Sequence, residues 1–302
     1  MTVEVGVSLP VFLARTGGAV PDLAAVARHA EQVGLDAVWC GDHLATDAPL
    51  IESTVALSVA AAVTERVRLG FAVMLLALRQ PAWAAKQIAS LQLVSGNRLV
   101  LGVGVGGQWP GEWAAGGVEL AGRGRRTDAI LAALPGLLAG EPARLTTEPG
   151  EPEVTLAPGV PMPPVWAGGM SEAALRRAVR FGQGWLGSML APDQLAGPAG
   201  KLAELAAAAG VAGPELGMIV FAALSKQDTA SADGFAAYLT KTYGLPPEQA
   251  ARIVVAGTPA RLAGRLDEYG EAGVSRIVVA TIGGDVRGQY DLVAEARGAL
   301  VA

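Results

Sequence analysis

Two adjacent residues, Asp42 and His43, have side chains that could move a proton at neutral pH. The imidazole group titrates near neutrality, and a carboxylate beside it can orient the ring or raise its pKa. The one other histidine, His29, lies inside a segment with helical spacing. The pair therefore favours acid–base chemistry at His43, where Asp42 could orient the ring or raise its pKa, with a structural or solvated loop histidine as the alternative.

Glycine is concentrated in two segments where the backbone could approach a ligand. Residues 102–107 satisfy G-x-G-x-x-G, but residues 109–111 (Trp-Pro-Gly) follow in place of an immediate helix, which argues against a dinucleotide-binding turn. Close approach of the backbone to a flat ligand explains the same glycines. Residues 168–171 end a predicted strand and open a predicted helix, which favours phosphate binding by free amides. An ordinary turn capped by Ser171 fits equally well.

The composition excludes several classes of function. The chain has 302 residues and a net charge of −5, so it lacks the basic excess on which nucleic-acid binding depends. One cysteine, Cys40, cannot form an internal disulfide, and two histidines make a metal site unexpected. The N-terminus does not resemble a secretion signal, and the longest apolar stretch, residues 69–78, is too short to span a bilayer. We therefore expect a cytoplasmic protein without a nucleic-acid or membrane partner.

The elements that must position these residues follow an alternating pattern. Short runs of Val, Leu and Ile alternate with longer alanine-rich segments of helical spacing, as in buried parallel strands covered by helices. The predicted strands are residues 3–9, 35–40, 67–73, 98–103, 164–167, 184–187, 216–223 and 276–280. No linker-like segment divides the chain. The pattern predicts one domain over residues 1–302, a TIM (β/α)8 barrel with insertions near the C-terminal mouth of the strands; a doubly wound sheet is the alternative.

The barrel prediction brings the candidate residues together. Active sites of such barrels are built from the loops at the C-terminal ends of the strands. His43, the glycine run and residues 168–171 all follow predicted strands. Residues 140–164 are rich in Pro and Glu without a clear period, and we interpret them as a surface insertion.

Several motifs, taken in order, resemble those of the bacterial luciferase-like monooxygenase superfamily of flavin- and deazaflavin-dependent oxidoreductases. The similarity covers nearly the whole chain. The matching stretches are residues 30–39 leading to 41–43, 63–70, 79–81 with 85–87, 95–104, 166–171 and 257–259. The resemblance implies a TIM-like barrel in which the tricyclic ring of the cofactor lies in the barrel and its phosphate tail runs outward.

The resemblance also implies individual site residues. Asp42 and His43 match the position that contacts the reactive ring, where His43 would position the substrate or supply a proton. Ala72 and Val73 match the place where relatives have a non-prolyl cis peptide behind the ring. The cofactor path would be lined by Gly104, Val105, Gly106 and Gly107, and the phosphate would be received by Ala167, Gly168, Gly169 and Met170.

The sequence departs from the family pattern in two places. Residues 71–72 are Phe-Ala where relatives often have Thr or Ser, so a hydroxyl near the ring is missing. Gly107 stands where the branch that oxidises sugar phosphates has Glu, which counts against that substrate class. The pattern of Trp109, Glu112 and Trp113 is similar to the broad deazaflavin-dependent branch. These three residues either wall a substrate pocket or pack the loop.

The resemblance implies an oxidoreductase that uses coenzyme F420 for hydride transfer to or from a small organic substrate. An FMN-dependent monooxygenase or reductase is the alternative, because both cofactors have a flat ring and a tail that begins with a phosphate. A non-catalytic cofactor-binding member of the fold is the second alternative. The resemblance also implies a homodimer, for which the apolar second and third helices, with Trp83 and residues 84–85, would form a reasonable contact face.

Overall fold

The computed structural model describes residues 3–300, in which eight parallel strands form a closed barrel. The strands are β1 (Glu4–Ser8), β2 (Ala37–Cys40), β3 (Arg68–Phe71), β4 (Leu99–Gly104), β5 (Val165–Gly168), β6 (Gly184–Ser188), β7 (Glu215–Leu224) and β8 (Val274–Thr281). Each pairs with the next along the chain, and β8 pairs with β1. The predicted TIM barrel is confirmed.

Helices surround the barrel between the strands. They are α1 (Leu23–Gln32), α2 (Ser53–Val63), α3 (Pro81–Ser95), α4 (Pro110–Ala115), α5 (Arg123–Ala139), α6 (Glu172–Phe181), α7 (Ala196–Ala209), α8 (Asp233–Tyr243), α9 (Pro247–Ile253), α10 (Pro259–Glu271) and α11 (Val286–Ala299). Their ends follow local chemistry: Pro81 occupies the first turn of α3, and Gly96 ends it with φ 65°. Within residues 3–300 no helix has the length and apolar character needed to cross a membrane.

Two additional strands of the barrel sheet were not predicted. The third predicted strand is broken at Ala72–Val73, where the peptide bond is cis, and Met74–Leu75 then pairs with the C-terminal end of β4. Val254–Gly257 pairs with the outer half of β7, Phe221 lying opposite Val254. The pairing of β6 to β7 ends at Ile219, so the outer half of β7 has a free edge that this extra strand fills.

The predicted insertion contains regular structure where no period was seen. Ala143–Arg144 and Glu153–Val154 form a short antiparallel pair. Pairs of two residues are too short to show a hydrophobic alternation in sequence.

Two tryptophans fill the inside of the barrel. Trp39 on β2 and Trp166 on β5 are buried in one cluster with side chains from β4, β6 and β8. They fit because the adjoining strands carry glycine: a Cβ on Gly70 would overlap the Trp39 ring, and one on Gly184 would lie 2.5 Å from Trp166. Some of the many glycines are therefore needed for packing, away from any ligand.

The predicted contact face for a second copy is altered by the structure. Trp83 on α3 is 70% exposed, in keeping with a contact role. Ala84 and Ala85, however, are wholly buried against the protein's own core, because successive residues of a helix point in different directions. Their assignment to the contact face was wrong, and the homodimer itself stays a proposal.

Candidate active site

His43 lies at the C-terminal mouth of the barrel, on the loop that follows β2. Its Nδ1 is 3.2 Å from each carboxylate oxygen of Glu112, and its side chain is 12% exposed. The edge of its ring meets Trp109 at a centroid distance of 4.5 Å, and Phe12 lies 6.1 Å away on a similar geometry. The imidazole is therefore held on one nitrogen by a carboxylate and sheltered by two aromatic rings.

Glu112, in the first turn of α4, fixes that orientation. Its side chain has no exposed surface, and it also accepts the backbone N–H of Leu44 at 3.1 Å. Because Glu112 binds both the His43 ring and the backbone of the next residue, the ring has little freedom to turn. A proton on Nδ1, donated to Glu112, leaves Nε2 as the nitrogen that can accept or release a proton.

The prediction that Asp42 orients His43 was wrong. Both carboxylate oxygens of Asp42 bind the Arg79 guanidinium, at 2.6 and 2.9 Å. Asp42 also accepts hydrogen bonds from Ser53 Oγ at 2.7 Å and from the backbone N–H of Leu75 at 2.8 Å. Adjacent residues on an extended chain point to opposite sides, so Asp42 turns into the protein while His43 faces the mouth.

Asp42 instead ties the loop to two neighbouring elements. Burial acts to raise the pKa of Asp42, but the charge and hydrogen bonds of Arg79, with those of Leu75 and Ser53, outweigh it and hold the pKa below its ordinary value. Arg79 also binds Glu52 at 3.1 Å. The charged pair is thus a fixed support under the His43 loop, and contact of Asp42 with a cofactor stays a prediction.

Val73, next to the cis bond, packs against the cluster inside the barrel, beside β4 and β5. A Cβ on Gly104 would overlap Val73 Cγ2, and one on Gly168 would lie 2.9 Å from Val73 Cγ1. Glycine is needed at these two positions because the Val73 side chain occupies the space that a larger residue would take. Ala72 and Val73 are only partly buried, so part of each side chain is accessible. A role for Gly104, Gly168, Ala72 and Val73 in contacting a cofactor stays a prediction.

The later part of the glycine run has a different neighbour. Val105, Gly106 and Gly107 follow β4 and are partly exposed, and the two glycines have φ of 53° and 120°. Arg123, the first residue of α5, donates to the carbonyl of Gly106 at 3.2 Å, and its guanidinium covers Gly107. Arg123 was missed from the sequence, although its position at a predicted helix start beside further arginines was visible.

The predicted phosphate site divides into a buried and an exposed part. Ala167 and Gly168 are buried within β5, whereas Gly169 and Met170 are exposed where α6 begins. Ser171 caps α6 by accepting the N–H of Ala174 at 3.2 Å. Gly169 is held from behind by Trp185, whose Nε1 donates to its carbonyl at 2.8 Å. The exposed amides at a ten-residue helix's start suit a phosphate.

The third residue of the loop pattern has a packing role. Trp113 is 1% exposed and is buried against Leu75, Ala77 and Leu78, so it does not wall a pocket. Trp109 packs against the ring of His43, and the Glu112 carboxylate binds Nδ1 of that ring. Taken together, the mouth offers left-handed glycines, an arginine and free helix amides, which fit a flat cofactor with a phosphate tail.

Comparison with known proteins identifies the family of the chain. A family model described as luciferase-like monooxygenase matches residues 3–276. An uncharacterized protein of Mycobacterium tuberculosis is 39% identical over 149 residues, which are 49% of this chain and 51% of that protein. An F420-dependent glucose-6-phosphate dehydrogenase of Kineococcus radiotolerans is 39% identical over 89 residues, 28% of this chain and 26% of that protein. The chain thus matches about half or less of the length of these curated relatives.

A solved structure shares the whole fold. An F420-dependent secondary alcohol dehydrogenase in complex with an F420-acetone adduct has a TM-score of 0.81 and covers 99% of both chains at 17% identity. At that identity the similarity shows the barrel architecture. The family model, in contrast, extends over most of the sequence. The chain therefore belongs to the luciferase-like monooxygenase family.

Proposed function

We propose that the protein is an F420-dependent oxidoreductase that moves a hydride between the deazaflavin ring and a small organic substrate. The observation that carries the proposal is His43, held by buried Glu112 at the barrel mouth with one nitrogen left for proton transfer. The partial similarity to an F420-dependent dehydrogenase supports the choice of cofactor.

The chain's residues divide the work of such a reaction. When bound, the deazaflavin ring accepts or supplies the hydride. Oxidation of an alcohol also releases the hydroxyl proton, and His43 Nε2 is the acceptor because Glu112 occupies Nδ1. In the reverse direction the same nitrogen returns a proton to the carbonyl oxygen. Trp109 and Phe12 lie against the imidazole ring of His43 and limit the access of water to its edges.

The residues that would hold the cofactor follow the C-terminal ends of two adjacent strands, β4 and β5. Gly106 and Gly107 leave room for the tail, and the amides of Gly169 and Met170 would bind its phosphate. Arg123 adds a positive charge, since its hydrogen bonds in the described chain go only to carbonyl oxygens of Gly106 and Leu120.

FMN is the second candidate. The description of the matching family model names a monooxygenase. Monooxygenation needs a cofactor that reacts with oxygen, which suits a flavin and does not suit a deazaflavin. The glycine segments would fit either cofactor. FMN binding would make His43 a proton donor or a substrate-positioning residue in oxygen chemistry.

Titration of the purified apoprotein with each cofactor separates the candidates. We expect F420 to quench tryptophan fluorescence at lower concentration than FMN, since Trp109 lies at the mouth. Tight FMN binding without F420 binding would overturn the first choice, and binding of neither would favour a member of the fold that has lost its cofactor.

A matched pair of variants tests where the phosphate binds. Arg123→Met should weaken cofactor binding about 10- to 100-fold, the effect of losing one hydrogen bond to a charged group. Arg125→Met is the control, because Arg125 is exposed two residues further along the same helix. Equal affinities of the two variants would remove Arg123 from the site.

A further inference from the structure

Arg15 is a positive charge enclosed by aromatic rings at the barrel mouth. It lies in the 3-10 turn Leu13–Thr16 of the loop after β1. Its guanidinium carbon is 4.8 Å from the ring centroid of Phe12, 5.3 Å from that of Tyr238 and 5.6 Å from that of Phe235. Its Nε is buried and has no hydrogen-bond partner.

No anion of the described chain neutralises this charge. Arg15 takes part in none of the ion pairs formed by residues 3–300. Tyr243 also lies near it, but burial raises the pKa of Tyr243 to about 12 despite the opposing effect of Arg15, so the phenol is neutral. Aromatic faces offset part of the cost of removing a guanidinium from water, but they provide no acceptor for the buried Nε of Arg15.

The position of Arg15 assigns it to the substrate side of the mouth. In the closed barrel β1 lies four strands from β5 in either direction, so Arg15 is opposite the exposed amides of α6. Its backbone carbonyl accepts the N–H of Gly283, just after β8. Phe12 touches both Arg15 and His43, with separations of 4.8 and 6.1 Å that keep the guanidinium within about 11 Å of the imidazole.

We propose that Arg15 binds a carboxylate of the substrate, which makes the substrate an organic acid whose reacting carbon lies at His43. The proposal rests on the proposed function for the reaction, but not for the binding of the acid. A guanidinium edge can bind both oxygens of a carboxylate, and such charge-assisted pairs are about twice as strong as neutral ones. One guanidinium supplies one positive charge, which matches the charge of one carboxylate.

Calorimetric titration of the apoprotein with benzoate and 3-phenylpropionate, each compared with its amide, tests the proposal. We expect each acid to bind at least about tenfold more tightly than its amide, because only the acid has the charge. Arg15→Met should abolish that preference, and Arg15→Lys should keep only part of it. Arg28→Met is the control, since Arg28 is exposed on the outside of α1.

The outcomes separate this proposal from the cofactor assignment. If the wild-type protein does not distinguish the acids from the amides, or if Arg15→Met retains the preference with an unchanged circular dichroism spectrum, the proposal is wrong. Should Arg15→Met fail to fold, the preference of Arg15→Lys decides: an undiminished preference overturns the role of the planar guanidinium. All of these titrations use protein without cofactor, so a failure of F420 to bind would leave their result intact.

Discussion

The proton-carrying nitrogen of His43 is set by a residue 69 positions away in sequence. Glu112 accepts from Nδ1 and from the backbone N–H of Leu44, so the tautomer and the ring orientation depend on the loop after β2 and on α4 together. The adjacent Asp42, the obvious partner in the sequence, is engaged by Arg79. At the residue scale, chemistry at His43 is therefore predicted to depend on Glu112.

Replacing Glu112 by Gln tests this dependence. Gln has nearly the same shape, but its amide can donate to Nδ1 and so leave the proton on Nε2, the wrong nitrogen for a base. We expect kcat with the true substrate to fall about a hundredfold or more while KM changes little. Asp291→Asn is the control, because Asp291 holds His29 in an exposed pair far from the mouth. An unchanged kcat in Glu112→Gln would contradict the positioning role.

Asp42 is expected to matter for stability. Asp42→Asn removes the charge that neutralises Arg79, which is itself largely buried, so the free energy of unfolding should fall by about 3 kcal/mol at pH 7. Asp193→Asn, in the exposed pair with Arg252, should cost less than about 1 kcal/mol. Urea unfolding of both variants gives the comparison, and equal losses would mean that the Asp42 pair contributes no more than a surface pair.

The same pair predicts how stability depends on pH. The pKa of Asp42 in the folded protein is below its value in the unfolded chain, near 3.9. Its contribution is thus fully present above about pH 4 and is lost as the pH falls through the lowered folded value. The difference in unfolding free energy between wild type and Asp42→Asn should accordingly shrink in acid. A difference that stays constant down to acid unfolding would contradict the assignment.

At the scale of elements, the barrel depends on glycines that admit tryptophan rings. A Cβ on Gly70 of β3 would overlap Trp39, whereas Gly264 on the outside of α10 has open space around it. Gly70→Ala should destabilise the protein by about 1–3 kcal/mol, and Gly264→Ala should stabilise it by about 0.5–1 kcal/mol through helix propensity. Thermal unfolding measures both, and a tolerated Gly70→Ala would show that the ring can move.

Strand and helix positions followed from the sequence because each is set by local periodicity. All eight barrel strands lie where the apolar runs predicted them, and Ser171 caps α6, which was one of the two interpretations of residues 168–171. The strand Val254–Gly257 was missed because its formation depends on pairing with the free edge of β7, which is distant in sequence. The break at Ala72–Val73 depends likewise on the space beside β4 and β5 that Val73 fills.

At the scale of the whole molecule, Cys40 reports on the integrity of the barrel. It is wholly buried at the end of β2, and burial, with the negative charges of Asp42 and Glu52, raises its pKa well above the usual range. Since only the thiolate reacts, a thiol reagent at pH 8 should modify Cys40 only as fast as the protein unfolds. Ser58→Cys, on the exposed side of α2, should react at once. Fast native-state labelling of Cys40 itself would reveal opening of the barrel wall.

The sequence by itself determined the alternation of strands and helices, the barrel and the set of loops that meet at its mouth. These properties depend on hydrophobic period and turn chemistry, which act over a few residues. Only the tertiary structure decided that Glu112 rather than Asp42 holds His43, that Val73 lies against Gly104 and Gly168, and that Arg15 is enclosed by rings from α8. Such pairings join segments far apart in the chain, and closure of the barrel is the event that brings them within contact distance.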